Sequence, residues 1–178
     1  MRILGIDPGT ACTGYGVVTG DDRGAFSLVE CGVIRTGARD PLPSRLRAIF
    51  EGITDVIVRH EPEALAVEDI FYAKNVRTTV VLGHARGVIL LAGEQCGLAI
   101  HELPPAAIKK AVVGTGTASK QQMQFMVTRI LRLRSVPEPP DAADGVAAAL
   151  ACLMEVRIPS RAGGQRFVSS AGPRAASL

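Results

Sequence analysis

Four acidic side chains stand where the chain has little structural need of them. Asp7 ends the aliphatic run Arg2–Ile6 and precedes a Pro8-Gly9-Thr10 turn, and Glu68 ends a second apolar run, Ala64–Val67. Asp141 and Asp144 are three residues apart at the start of a helix-type segment, so both project from one helix face. Singly, each has an ordinary reading: Asp7 as a turn residue, Glu68 as a solvated strand end, Asp141 as a helix-start residue favoured by the dipole. Together, carboxylates from two strand ends and one helix start can converge at one edge of a sheet. Hard oxygen ligands of this kind suit Mg²⁺ or Mn²⁺ rather than zinc. Two such ions about 4 Å apart can hold the attacking and leaving oxygens of a phosphodiester in line.

An acidic cluster alone repels a polyanion, and the charge distribution supplies the compensation. The 178 residues carry a formal net charge of only +3. Residues 1–70, however, hold 7 basic and 11 acidic side chains, whereas residues 71–134 hold 9 basic and 2 acidic. A basic block between acidic or neutral flanks points to an anionic partner. Lys109 (with Lys110 beside it) and Lys120 flank the loop Gly114-Thr115-Gly116-Thr117, where they either meet phosphate or are solvated surface lysines. Phe71 and Tyr72 follow the Glu68 strand and lead into Lys74 and Arg77. An aromatic there either stacks on bases or packs under the next helix. Arg129, Arg132 and Arg134 reach the flanks of a bound polyanion or solvate a helix face. Metal-dependent cleavage of a phosphodiester follows as the chemistry these residues can do.

The elements that must position them read as one domain of 1–157. Arg2–Asp7, Tyr15–Thr19 and Phe26–Thr36 are short strands joined by tight turns, an antiparallel meander. Leu42, Leu46, Ile49, Phe50, Ile53, Val56 and Ile57 recur at helical spacing, with Asp40 and Pro41 placed to start that helix. Ala64–Val67 is a buried-type strand, and Asn75 can cap a helix running to Cys96 with Gly97 as its stop. Leu98–Leu103 is the fifth strand. A short helix to Val113 follows, and Ser119 with Gln122 forms a capping-box pattern opening a helix to about Leu133. Asp141–Glu155 is the last helix. The pattern implies a mixed α/β sheet of five strands with helices on both faces. Residues 158–178 read as a disordered basic tail. Cys12, Cys31, Cys96 and Cys152 are scattered, and the three histidines share no ligand spacing, so disulfides and zinc are not expected. No membrane span or secretory signal is legible, and a cytoplasmic location is expected.

Several motifs occur in a specific order: Gly5-Ile6-Asp7-Pro8-Gly9-Thr10, Thr13-Gly14-Tyr15-Gly16, Leu42-Pro43-Ser44-Arg45-Leu46, Ala73-Lys74-Asn75, Gly83-His84-Ala85-Arg86-Gly87-Val88 and Asp141-Ala142-Ala143-Asp144. In these the chain resembles the RuvC family of crossover junction endodeoxyribonucleases, over roughly residues 1–155. The resemblance implies a ribonuclease-H-like fold and a homodimer that nicks two strands of a four-way DNA junction symmetrically. It implies two Mg²⁺ per active site, replaceable by Mn²⁺, on Asp7, Glu68, Asp141 and Asp144. It also implies DNA contacts by Lys109 and Lys120, base unstacking by Phe71, and work alongside the RuvA–RuvB branch-migration complex. In the family the helix from Asn75 to Cys96 forms the dimer interface, which suits the three glycines within it. One departure is Gly145, where relatives usually carry a helix former; it is expected to loosen the turn that holds Asp144. The Asp-x-Gly-Thr pattern also occurs in two-lobed sugar-kinase, actin and Hsp70 ATPases, but these need a much longer chain. A non-catalytic junction-binding module would have no use for four carboxylates facing DNA.

Overall fold

In the computed structural model, which describes residues 1–69 and 76–157, the first strand already shows how the layers are built. Along β1 (Arg2–Asp7), Ile3 packs into one core and Leu4 and Ile6 into another. Both faces of the strand are covered, so its sequence is a near-continuous apolar run. β4 (Ala64–Glu68) alternates the same way, with Ala64 and Ala66 on the first face and Leu65 and Val67 on the second. β2 (Cys12–Gly20), β3 (Phe26–Arg35) and β5 (Ala99–Leu103) complete a five-stranded sheet in the order β3-β2-β1-β4-β5. β1 pairs antiparallel with β2 and β2 with β3, while β1–β4 and β4–β5 are parallel. The meander and mixed sheet read from the sequence are therefore present. β2 begins at Cys12, earlier than the apolar pattern showed, because Cys12, Thr13 and Gly14 pair with β3 and Gly14 also with Asp7 of β1. The turn before β3 is tied by Asp21, whose carboxylate accepts from the Arg23 and Ala25 N–H groups.

α1 (Leu42–His60) and α2 (Val76–Gln95) cover the Leu4 face. α3 (Pro105–Val113), α4 (Lys120–Ile130) and α5 (Pro140–Arg157) cover the Ile3 face. α1 buries Ile49, Ile53, Val56 and Ile57. Asp40 does not cap it: Pro41 occupies the N-cap, with no side-chain cap bond, and its carbonyl accepts from Ser44 and Arg45. α2 stops where Gly97 turns left-handed (φ +72°), as expected of Gly at that position; Asn75 lies outside the described residues.

The Ser119–Gln122 capping box opens α4 as read, but the helix ends at Ile130, short of Leu133. The cause is Arg132, which adopts φ 52°. Its N–H bonds to the Arg129 carbonyl and the Leu133 N–H to the Thr128 carbonyl, the paired bonds of a Schellman ending. A left-handed L-residue costs roughly 1–2 kcal/mol, so this is a glycine seat filled by arginine.

α5 is the central helix. Its residues from Val146 to Leu153 are all buried, and each fully buried leucine among them contributes about 1.5–3 kcal/mol. It can lie this deep because the sheet below it is made of small residues. A Cβ on Gly5 would come within 2.2 Å of the Ala149 nitrogen, and one on Gly14 within 1.8 Å of the Asp141 carbonyl oxygen. From the helix side, a Cβ on Gly145 would meet the Tyr15 backbone at 2.7 Å. Gly145 thus sets the height of the helix above β2; the expectation that it loosens the turn is replaced by this close backbone contact. Among the described residues, no helix is long and apolar enough to cross a membrane.

Candidate active site

Strand alternation decides where the first two carboxylates go. Asp7 follows Ile3 and Gly5 onto the α5 face of β1, and Glu68 follows Ala64 and Ala66 onto the same face of β4. The parallel register aligns Ile6 with Val67, so Asp7 and Glu68 leave neighbouring strands at the same sheet edge. α5 starts above that edge because Gly14, the partner of Asp7 in the ladder, lies under the Asp141 backbone. One carboxylate oxygen each from Asp7, Asp141 and Asp144 therefore lies within 4.8 Å of the others, and all three residues are half-buried. Glu68 stands outside this tight group but lines the same cleft of about 330 Å³ with Asp7, Asp144, Lys109 and Lys120. Arg86 of α2 bridges Asp69, next to Glu68, and Glu102 of β5, which ties down this strand end.

The site carries more negative charge than its own cations balance. Burial pushes the Asp7 carboxyl up from 3.8 to about 7, with further upward push from Glu68, Asp144 and Asp141 and only Lys120 opposing. Glu68 is raised by burial and by Asp144, with Lys109 and Lys120 opposing. Lys120 Nζ donates to Asp144 Oδ2 at 2.7 Å, which raises the lysine's own affinity for its proton. Neither Asp7 nor Glu68 takes a hydrogen bond or salt bridge from the described residues. All-oxygen donors short of positive charge fit a divalent cation of the hard class.

The RuvC model, described as crossover junction endodeoxyribonuclease RuvC, matches residues 3–152. The chain belongs to the RuvC family. A crossover junction endodeoxyribonuclease RuvC of Koribacter versatilis is 47% identical over 150 residues, covering 84% of this chain and 90% of the relative. The solved Thermus thermophilus RuvC is 33% identical with a TM-score of 0.81, covering 88% of this chain and 96% of that one. The T. thermophilus protein in complex with Holliday junction substrate also has a TM-score of 0.81, at 30% identity over 88% of this chain and 96% of that chain. The ribonuclease-H-like architecture and the nuclease class read from the sequence thus hold. RuvC membership implies a divalent metal, and the acidic triad is the place for it.

Of the residues singled out in this RuvC chain, Asp7, Asp141, Asp144, Glu68, Lys109 and Lys120 meet at one cleft. Lys110 is exposed on α3, next to Lys109, and Arg77 is exposed at the start of α2. Phe71, Tyr72 and Lys74 lie outside the described residues. Sequence reasoning missed Cys12, whose thiol donates to Asp141 Oδ2 at 3.2 Å. Burial and that carboxylate push the thiol up, so it stays protonated and holds the Asp141 side chain from behind. No local pattern links residues 129 positions apart.

Proposed function

We propose that the protein resolves four-way DNA junctions as a homodimer, by paired symmetric hydrolysis with two Mg²⁺ ions in each active site. The observation that carries this reading is the convergence of Asp7, Asp141 and Asp144 within 4.8 Å, beside Glu68 and two lysines in an open cleft. Asp7 and Glu68 would hold one ion and Asp7 with Asp141 or Asp144 the other. Such ions supply the charge that activates water and steadies the leaving oxygen, and Mn²⁺ can replace Mg²⁺.

The chain's own residues do the rest. Lys109 and Lys120 draw the scissile phosphate over carboxylates that would otherwise repel it and offset charge that grows as the bond breaks. Lys120 also orients Asp144 through their 2.7 Å bond. Lys110, Lys74 and Arg77 hold backbone phosphates on either side, which positions the strand without reading sequence. Phe71 and Tyr72 follow the Glu68 strand and open base stacking at the crossover.

A dimer is supported by the outer stripe of α2. Val76, Val80 and Leu91 are 76%, 54% and 50% exposed, too apolar a row to leave in water by choice. Gly83 and Gly87, one turn apart on that stripe, face open space, so a second helix can approach closely there. Two copies related by a two-fold axis present equivalent sites to two strands of a junction. The RuvA–RuvB complex is a partner by family resemblance, the nuclease domain spans residues 1–157, and the enzyme works in the cytoplasm. Asp7→Asn tests the reading: junction binding should persist in a gel-shift assay while Mg²⁺-dependent cleavage disappears. Wild-type cleavage by this variant would remove Asp7 from the chemistry.

A further inference from the structure

Helix α4 leads away from the cleft with a basic, aromatic outer face. Its first residue is Lys120, in the cleft, and its inner face is pinned to the core by Met123 and Val127. Outward point Gln121, Phe125 and Arg129, with Arg132 just beyond the helix end. Phe125 is 61% exposed, and the Arg129 guanidinium carbon lies 5.9 Å from its ring centroid. That is within range of a cation–π contact, which displays the guanidinium on the surface rather than letting it fold away. Residues 103–137 contain Lys109, Lys110, Lys120, Arg129, Arg132 and Arg134 and no aspartate or glutamate. Arg129 and Arg132 make no ion pair among the described residues.

Arg132 adds an independent argument. It fills the left-handed seat of a Schellman ending, with φ 52°, where glycine would serve the fold better. The helix dipole does not require a cation there, because Arg129 already places one in the last turn. The Arg132 side chain is exposed just beyond the helix end.

We propose that Phe125, Arg129 and Arg132 form a secondary contact for the phosphate backbone of one duplex arm of the junction. This rests on the junction reading above. A rise of 1.5 Å per residue puts Arg129 about 13 Å along α4 from Lys120. Charge complementarity selects duplex DNA as the occupant: the outer face of α4 offers cations and an aromatic ring and no carboxylate. A protein partner would need more apolar surface than one phenylalanine among glutamine and arginine.

The test is a salt titration of junction affinity by fluorescence anisotropy, with the full chain in metal-free buffer. Arg129→Gln and Arg132→Gly should each lower the slope of log affinity against log salt by about 1, and together weaken binding on the order of tenfold. Arg132→Gly should do so with an unchanged or higher Tm, which separates lost contact from lost fold. Arg47→Gln, on α1 at the opposite face of the sheet, removes the same charge and should change nothing. Neutral methylphosphonate linkages scanned along one duplex arm should include a position that weakens wild-type binding as the double variant does. A double variant with wild-type slope and affinity, or an equal loss in Arg47→Gln, overturns the proposal. Failure of the wild type to prefer a junction over a linear duplex would instead overturn the junction reading on which it rests.

Discussion

Replacing Asp7 with asparagine should stabilise the metal-free protein, although it abolishes catalysis. The carboxyl is raised from 3.8 to about 7, first by burial and then by Glu68, Asp144 and Asp141. The native state thus binds this proton more tightly than the unfolded chain, so stability falls as pH rises from about 4 to about 7 and is level above. At 1.36 kcal/mol per pH unit the full cost at pH 8 has a ceiling of about 4 kcal/mol. Asp7 is only half-buried and solvent screens its neighbours, so about 1–3 kcal/mol is the working figure. Asparagine has nearly the same shape and no charge to desolvate. Urea denaturation in EDTA at pH 8 should therefore show Asp7→Asn more stable than wild type by that amount, with the gap closing towards pH 4. Added Mg²⁺ should raise the wild-type midpoint, through binding to the native state, and leave the variant nearly unmoved. A variant less stable than wild type at pH 8, or a gap that persists at pH 4, would refute the electrostatic reasoning.

Gly14→Ala places a methyl 1.8 Å from the Asp141 carbonyl oxygen. It should cost about 1–3 kcal/mol and raise the Mg²⁺ concentration needed for cleavage, as denaturation and metal titration would show. Lys120→Met removes the cation bound to Asp144 and should slow single-turnover cleavage on the order of 100-fold. Tyr15→Phe deletes the 2.8 Å hydrogen bond to Glu30, a carboxylate that also accepts from Arg59 at 2.7 Å. It should cost about 1–2 kcal/mol in denaturation and leave cleavage at its wild-type rate, since the network lies on the α1 face.

The carboxylates were legible because strand ends and a helix start are local features: an apolar run that stops at Asp7 or Glu68 announces its own edge. The sheet followed from the change of period, alternating in the meander and helical from Leu42 onward. What stayed hidden depends on packing between distant segments. Gly145 looks like a weak point in a helix when read alone; only against Tyr15 is it the residue that lets α5 settle onto β2. The start of β2 was read at Tyr15 because Cys12, Thr13 and Gly14 carry no apolar run, though the ladder pairs Gly14 with Asp7. The end of α4 was read too late because arginine stands where glycine would have marked the stop. The Cys12–Asp141 bond joins opposite ends of the described chain, beyond any window of local pattern.

The central claim is that this cleft cuts DNA at a four-way crossing. A mobile junction and a matched linear duplex, each labelled strand by strand, incubated with the full chain and Mg²⁺, test it most directly. The account expects nicks in two strands of like polarity, symmetric about the branch point, with the linear duplex left intact. Equal cutting of the duplex, or an uncut junction with Mg²⁺ and Mn²⁺ both supplied, would contradict it.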